Sequence, residues 1–312
     1  MISNGFKNTI KSLSNVHRDR NGQCIFIYAT PRGGSTWFME MLWSQPKFKS
    51  INEPLNVRNY KVQECLGIKR FSELYSPENE AKIIAYLKAL SANRIKFLNP
   101  SPLRKNYRFF TENCVFKLIH YNLFDSQWLV KNLNAKTLIV LRHPIPVSLS
   151  REVFPLLSDF SNCKFREYFT AGQLSFIDKI ALSGTHLEKG VTAWCMHNGF
   201  IAKNLGRDAC CVTYEQAVNE PEKIIQYLCE SLNLPSKQAM HKQSDKASAV
   251  RKKSSAANQA LLKSRQGRKE LIHTWRKKVT EAEEADLMGI LDLFNMDLYQ
   301  AGQNFARSSY LV

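Results

Sequence analysis

The chain has 312 residues, enough for one large α/β domain or two small ones, and its 44% apolar and 23% charged residues are an ordinary globular composition, which excludes a disordered or fibrous chain. No apolar run approaches the ~20 residues that a bilayer-spanning helix needs, and residues 1–22 hold no apolar signal core, so a cytoplasmic protein without a membrane segment is the expectation. The net charge of +17 favours anionic partners and is unevenly spread: residues 237–278 hold thirteen Lys and Arg against only Asp245 and Glu270.

In chain order, residues 1–22 read as a polar, loosely held tail or short helix. Cys24–Ala29, CIFIYA, is an unbroken apolar run rich in aromatic and β-branched residues, the pattern of a buried strand in a parallel sheet. Thr30-Pro31 ends it, because proline has no N–H to give the ladder. Arg32, Gly33, Gly34, Ser35 and Thr36 form a small turn, and Trp37, Phe38, Met41 and Leu42 then recur at helical spacing, so a helix starts at Ser35. A strand, a glycine turn and a helix N-terminus make an anion site, because the first N–H groups lack internal partners and the dipole favours negative charge. Arg32 adds a fixed charge there, and Ser35 and Thr36 add hydroxyl donors. A nucleoside-triphosphatase P-loop would read G-x-x-x-x-G-K-[ST]; this segment lacks the first Gly and has no Lys before Ser35.

Next comes FKSINEPLNVRNY, an extended piece containing Glu53-Pro54. A helix is predicted over 77–92, with Ile83, Ile84, Leu87 and Leu90 as its apolar stripe. Residues 114–119, CVFKLI, and 136–141, KTLIVL, read as buried strands, with a helix over 124–132 between them. Pro144 and Pro146 are expected to break the chain before a helix through Arg151. A variable helical region leads to Gly190, a long helix covers 191–205, and 210–213 is a fourth strand. Pro221–Leu232 is a helix with proline in its first turn. Residues 236–260 lack periodicity and predict a mobile basic loop, and 282–299 predict a closing helix with Leu287, Ile290, Leu291 and Phe294 inward. Strands alternating with helices imply an α/β fold, a central parallel sheet flanked by helices, in a single domain. The eight cysteines include no C-x-x-C, so reduced structural thiols and no metal site are expected.

TPRGGSTW resembles the 5′-phosphosulfate-binding loop of the PAPS-dependent sulfotransferases, in which Pro precedes Lys or Arg, a small residue, Gly, Ser or Thr, Thr and often Trp (PAPS is 3′-phosphoadenosine 5′-phosphosulfate). By position, the resemblance implies that Arg32, Gly33, Gly34, Ser35 and Thr36 hold the 5′-phosphosulfate, with Trp37 stacked near the adenine. In LRHPIPVSLSRE, Arg142 sits at the carboxyl end of a strand, where ligands bind in open α/β sheets. Ser150 follows eight residues later. The family uses an Arg and a Ser at this spacing on the 3′-phosphate, and Arg suits phosphate through its planar fork. VTYEQAVNEPEKIIQYLCESLNLP is similar to a family segment that places Tyr214 near the adenine, while Trp194 in the preceding helix matches a tryptophan that reads as core. RQGRKELIHTWRKKVT resembles the late basic segment that closes over the 3′-phosphate and adenine, which makes Arg265 and Arg268 both candidates, with Gly267 allowing close backbone approach. The resemblance covers roughly residues 22–300 and implies a P-loop nucleoside-triphosphatase-like sulfotransferase fold for one domain over 1–312, with PAPS as cofactor and no metal.

Sulfuryl transfer requires positive groups at the bridging oxygen as charge builds there, and a base for the acceptor proton. Arg32 serves the leaving phosphate, and Lys117 matches a lysine that the family points at the sulfuryl group. Glu53 in NEPL resembles the Glu-Pro-Leu of carbohydrate-type and bacterial sulfotransferases, where the Glu lies beside the acceptor. His120 lies three residues after Lys117, whereas sulfotransferases of phenols and steroids carry their catalytic His two residues after; one residue turns a strand side chain to the other face. Glu53 is therefore the expected base and His120 the alternative. Read structurally, Glu53 is instead an ion-pair partner of Arg58 or another arginine. Two rival functions remain at this level. A P-loop small-molecule kinase would need a Lys before Ser35 and a Walker-B Asp where Arg142 stands. A non-enzymatic anion- or nucleic-acid-binding protein would use the basic 237–278 segment, whose lack of regularly interleaved aromatics does not favour single-strand stacking. The acceptor is a hydroxyl or amine of a glycan or small molecule, with a lean toward an anionic one, in a pocket built by 55–110 and 152–190.

Overall fold

Short runs of aromatic and β-branched residues pair into one parallel sheet. The computed structural model describes residues 15–18, 22–119, 132–133, 135–162, 164–203, 209–246, 260–261, 264–307 and 309. The strands are β1 (Val16–His17), β2 (Cys24–Ala29), β3 (Phe48–Asn52), β4 (Phe110–Thr111), β5 (Asn113–Leu118), β6 (Ala135–Leu141) and β7 (Ala209–Thr213). The main sheet has five strands in the order β3-β5-β2-β6-β7, and β1 and β4 form a separate two-stranded ribbon. All pairings are parallel. β2 is buried along its whole length, as a central strand covered by helices on both faces must be.

The period of two along each strand divides the core into two layers. Phe26, Tyr28, Phe116 and Leu118 face one way, among residues of the Glu80–Ser91, His186–Lys203 and Glu281–Leu293 helices. Ile25, Ile27, Val115 and Leu138 face the other, among those of the Ser35–Trp43 and Pro221–Leu232 helices. Phe26 and Phe116 stack at 4.5 Å across the β2–β5 ladder. From β2 the chain crosses to β3 on one side, and β6 later adds on the other, so the sheet changes direction beside β2. The carboxyl ends at that point are where an open α/β sheet binds its ligands.

Five expectations need correction. Pro144 and Pro146 do not precede a helix but lie in its first turn, Pro144–Leu149, where missing N–H groups cost nothing. Gly190 is not a boundary: it lies inside the His186–Lys203 helix, and a side chain there would collide with Ser148 of the Pro144–Leu149 helix. The basic loop is helical over Lys237–Ser244, capped by Ser236, with Met240 fully buried. The closing helix stops at Leu293 because Asn295 turns into the left-handed region at φ 55°. Part of the N-terminal stretch is also pinned: Asn15 is buried, with its amide on the Arg108 carbonyl at 3.0 Å. The expected helix over 124–132 and His120 lie outside the described residues, apart from 132. Among the described residues, no helix is long and apolar enough to cross a membrane.

Candidate functional site

The turn after β2 is built for close approach. Gly33 N–H bonds back to the Thr30 carbonyl at 2.9 Å. Gly34 caps the Ser35–Trp43 helix at φ 92°, a conformation that L side chains resist. It also lies under an aromatic ring, since a Cβ there would sit 2.5 Å from Tyr214 Cδ2. The helix start carries no side-chain cap and no acidic residue in its first turn, an arrangement of N–H groups and dipole that suits an anion. Arg32 is held at φ 73°, and strained backbone of this kind in a non-glycine residue clusters at functional sites. Burial, and then the charge of Arg142, lower the Arg32 pKa.

Register brings the expected catalytic pair together. Asn52 in β3 lies opposite Lys117 in β5, so the next residue, Glu53, hydrogen-bonds through its N–H to the Lys117 carbonyl at 3.1 Å. Lys117 shares the sheet face of Val115, the face covered by the Ser35–Trp43 helix. Its Nζ lies 3.1 Å from Thr36 Oγ1 and 2.9 Å from Glu53 Oε1. At 4% exposure this lysine is interior, not a strand end in solvent. The Glu53 carboxylate also accepts from Asn56 Nδ2 at 3.0 Å; its ion pair is with Lys117, in place of the Arg58 pairing that a structural reading expects. Glu53 too has a positive φ, 51°. Apart from the asparagines, for which this region is ordinary, the described positive-φ residues other than glycine are Arg32, Lys47 and Glu53, and two of these three are in the site.

Arg142, just past β6, reaches across the switch point: its Nη1 donates to the Arg32 carbonyl at 2.9 Å, and its guanidinium lies 4.4 Å over the Tyr214 ring. Such cation–π contacts are worth about 0.5–2 kcal/mol. Behind it, Glu215 ties the ends of β6 and β7 together. Glu215 Oε1 accepts from His143 N–H at 2.9 Å, and Oε2 accepts from the Tyr299 hydroxyl at 3.0 Å. Trp194, fully buried, donates its indole N–H to the Arg142 carbonyl at 2.9 Å, which makes it a support of the site rather than a lining residue.

The remaining expected residues separate. Trp37 is buried, with its edge toward Tyr214 at 5.9 Å and its indole N–H on the Ser244 carbonyl at 3.2 Å. Of the two late arginines, Arg265 is paired with Glu222 on the surface, at 2.8 and 2.7 Å. Arg268 is 5% exposed, close enough to Tyr214 and Asp245 for their charges to oppose the lowering of its pKa by burial, and bonded to the Asp245 carbonyl at 3.0 Å. The close approach at Gly267 is to the Leu261 backbone. Ser150 ends the Pro144–Leu149 helix, with its hydroxyl on the Val147 carbonyl at 2.9 Å. It lines a pocket of about 490 Å³ that Arg32 and Glu53 also line.

Sequence reasoning passed over other residues of this pocket, among them Arg151 and His197. Arg151 stood next to a recognised motif residue, which was its one signal. His197 had none, because it lies mid-helix among core residues.

A comparison with known families matches the sulfotransferase domain over residues 23–292. The chain belongs to the sulfotransferase family. A comparison with curated proteins finds no match. Among solved structures, the sulfotransferase resembles the sulfotransferase domain from the curacin biosynthetic pathway at 19% identity, covering 90% of this chain and 100% of that one, with a TM-score of 0.49. It also resembles the sulfotransferase domain of the Synechococcus PCC 7002 olefin synthase, at 17% identity over 91% of this chain and 100% of that one, with a TM-score of 0.47. A mouse sulfotransferase, SULT7A1, crystallised with PAP, is 14% identical over 92% of this chain and 91% of that one, with a TM-score of 0.44.

Proposed function

We propose that this sulfotransferase transfers the sulfuryl group of PAPS to a hydroxyl or amine of a small-molecule or glycan acceptor, by in-line displacement without a metal. The observation that carries the reading is Lys117, whose ammonium bridges the anion loop at Thr36 and the pocket carboxylate of Glu53. One cation thereby joins the place for a transferring anionic group to the place for an attacking nucleophile.

The residues fit the cofactor chemically. A phosphosulfate end needs backbone N–H donors and fixed cations, and the uncapped helix start supplies the first. Arg32 and Arg142 supply the second, and neither is in an ion pair among the described residues, although Arg142 lowers the pKa of Arg32. Buried Arg142 Nε has no hydrogen-bond partner among them. When bound, PAPS supplies the activated sulfuryl group. Arg32 and the N–H groups at the start of the Ser35–Trp43 helix neutralise charge at the leaving phosphate. Lys117 holds its charge beside the sulfuryl oxygens, and Glu53 takes the acceptor proton. Arg142 and Ser150 take the 3′-phosphate, and Tyr214, Trp37 and Arg268 enclose the adenine side.

The reading is tested by incubating the protein with PAPS and a panel of hydroxyl and amine acceptors and measuring PAP formed. Acceptor-dependent PAP that disappears in Lys117→Met is expected. Absence of PAP with every acceptor, alongside turnover of ATP, would return the kinase reading.

A further inference from the structure

The pocket in front of Glu53 has walls of two kinds. Phe71, Tyr75, Ile119 and Leu156 are apolar or aromatic, while Arg58 and Arg151 bring two positive charges. The pocket meets the anion loop only at Pro31 and Arg32 and the proposed 3′-phosphate site only at Ser150; Gly33, Gly34, Thr36 and Tyr214 do not line it. It therefore runs from the edge of the cofactor site to the acceptor side of Glu53. Its volume of about 490 Å³ is that of a small-molecule site.

Arg151 is 8% exposed and has no ion pair among the described residues. Nη2 reaches only the Val153 carbonyl, at 3.4 Å, and Nη1 has no hydrogen-bond partner among them. The guanidinium lies 4.9 Å over the Phe154 ring. A buried charge without a counter-ion is unfavourable, and burial together with the charge of Arg58 pushes the Arg151 pKa down to about 10. Arg58 is exposed and lies 5.7 Å over the Phe71 ring. The two carboxylates of the pocket do not relieve this pair. Glu53 is engaged by Lys117, and Glu152 is exposed and forms no ion pair with either arginine.

We propose that the acceptor carries an anionic group, a carboxylate or a phosphate or sulfate ester, on an apolar body, and that Arg151 and Arg58 hold this anion while the acceptor nucleophile faces Glu53. The inference rests on the sulfotransferase reading above. The planar fork of arginine binds such anions bidentately, and the apolar wall takes the rest of the molecule. Without an anion, the buried guanidinium beside a second cation has only the Phe154 ring and the Val153 carbonyl to offset its burial.

The test titrates benzoate, phenyl phosphate and neutral benzamide into the PAP-saturated protein by calorimetry, using wild type, Arg58→Met, Arg151→Met and Arg151→Lys. At least one anion is expected to bind tenfold or more tightly than benzamide. Either Met variant is expected to remove most of that preference, and Arg151→Lys to keep part of it, with PAP affinity unchanged throughout. Benzoate against phenyl phosphate separates the two anion chemistries. Anions that bind no better than benzamide, including no binding by any probe, overturn the inference. So does a preference that survives in Arg58→Met, an exposed change that leaves the core intact should Arg151→Met fail to fold. Weakened PAP binding in Arg58→Met also overturns it, by placing that cation on the cofactor side. Failure of the wild type to bind PAP overturns the cofactor reading instead, and the same probes on the nucleotide-free protein still decide the anion preference.

Discussion

Glu53 and Lys117 meet through the β3–β5 register: the backbone N–H of Glu53 bonds to the Lys117 carbonyl at 3.1 Å, and the side chains pair at 2.9 Å. One ladder thus fixes both the position and the partner of the proposed base. Glu53→Gln keeps the shape and removes the proton acceptor, so kcat is expected to fall ~10²–10⁴-fold with PAP affinity unchanged. Combined with Lys117→Met, the loss is expected to be smaller than the product of the single losses, because the two act as a unit. Near-full turnover in Glu53→Gln, with loss in His120→Ala, would exchange the two roles.

Gly34 answers two demands at once, its φ of 92° and the Tyr214 ring above it. Gly67 shares only the first: its φ is 67°, and nothing lies within 4 Å of a Cβ placed there. Gly67→Ala is expected to lose about 1–2 kcal/mol from backbone strain alone. Gly34→Ala is expected to lose about 1–3 kcal/mol more through overpacking and to weaken PAP binding. Denaturant unfolding of both variants checks this, and equal losses would remove the Tyr214 contact from the account.

Arg142 both props the loop and carries the proposed 3′-phosphate contact. A charge-assisted contact is worth about 1.5–3 kcal/mol, so Arg142→Ala is expected to raise the PAP dissociation constant by about ten- to a hundredfold more than that of adenosine 5′-phosphate. Equal effects on the two nucleotides would leave Arg142 only its role in supporting the loop.

Protonation of the layer behind the site links stability to pH. His143 is stacked on Trp275 at 4.6 Å and lies edge-on to Tyr299 at 4.8 Å. Burial, then the charges of Arg276 and Arg142, pull its pKa down from 6.5 to about 3. The unfolded chain takes up the proton first, so stability present above the unfolded value is lost as pH falls toward the folded one. Buried Glu215, whose pKa is raised, acts in the opposite sense as pH rises above its ordinary 4.5. Unfolding of wild type and His143→Gln from about pH 7 to about 4 isolates the histidine, whose share is at most about 1.4 kcal/mol per pH unit. The advantage of wild type is expected to shrink on acidification; parallel curves would contradict the buried neutral imidazole.

What the sequence made legible follows from periodicity. Cys24–Ala29 and Pro221–Leu232 have the bounds read from their apolar patterns, because a central strand and a proline-started helix carry unambiguous signals. Tertiary packing hid the rest. Gly190 resembles a terminator but is a contact between helices, and Lys237–Ser244 buries too little of its polar sequence to show a stripe. The loop residues and Arg142 are proposed from local motifs. The interior position of Lys117, and the choice of Arg268 over Arg265 beside Tyr214, depend on strand register and on the Glu222 ion pair, which local spacing does not encode.

The most direct measurement is calorimetric titration of the protein with PAP, with adenosine 5′-phosphate, and with ATP plus magnesium. Tight binding of PAP that is lost without the 3′-phosphate is the expected result. A preference for ATP, or no nucleotide binding at all, would contradict the assignment of Arg32, Arg142 and the uncapped helix start to PAPS.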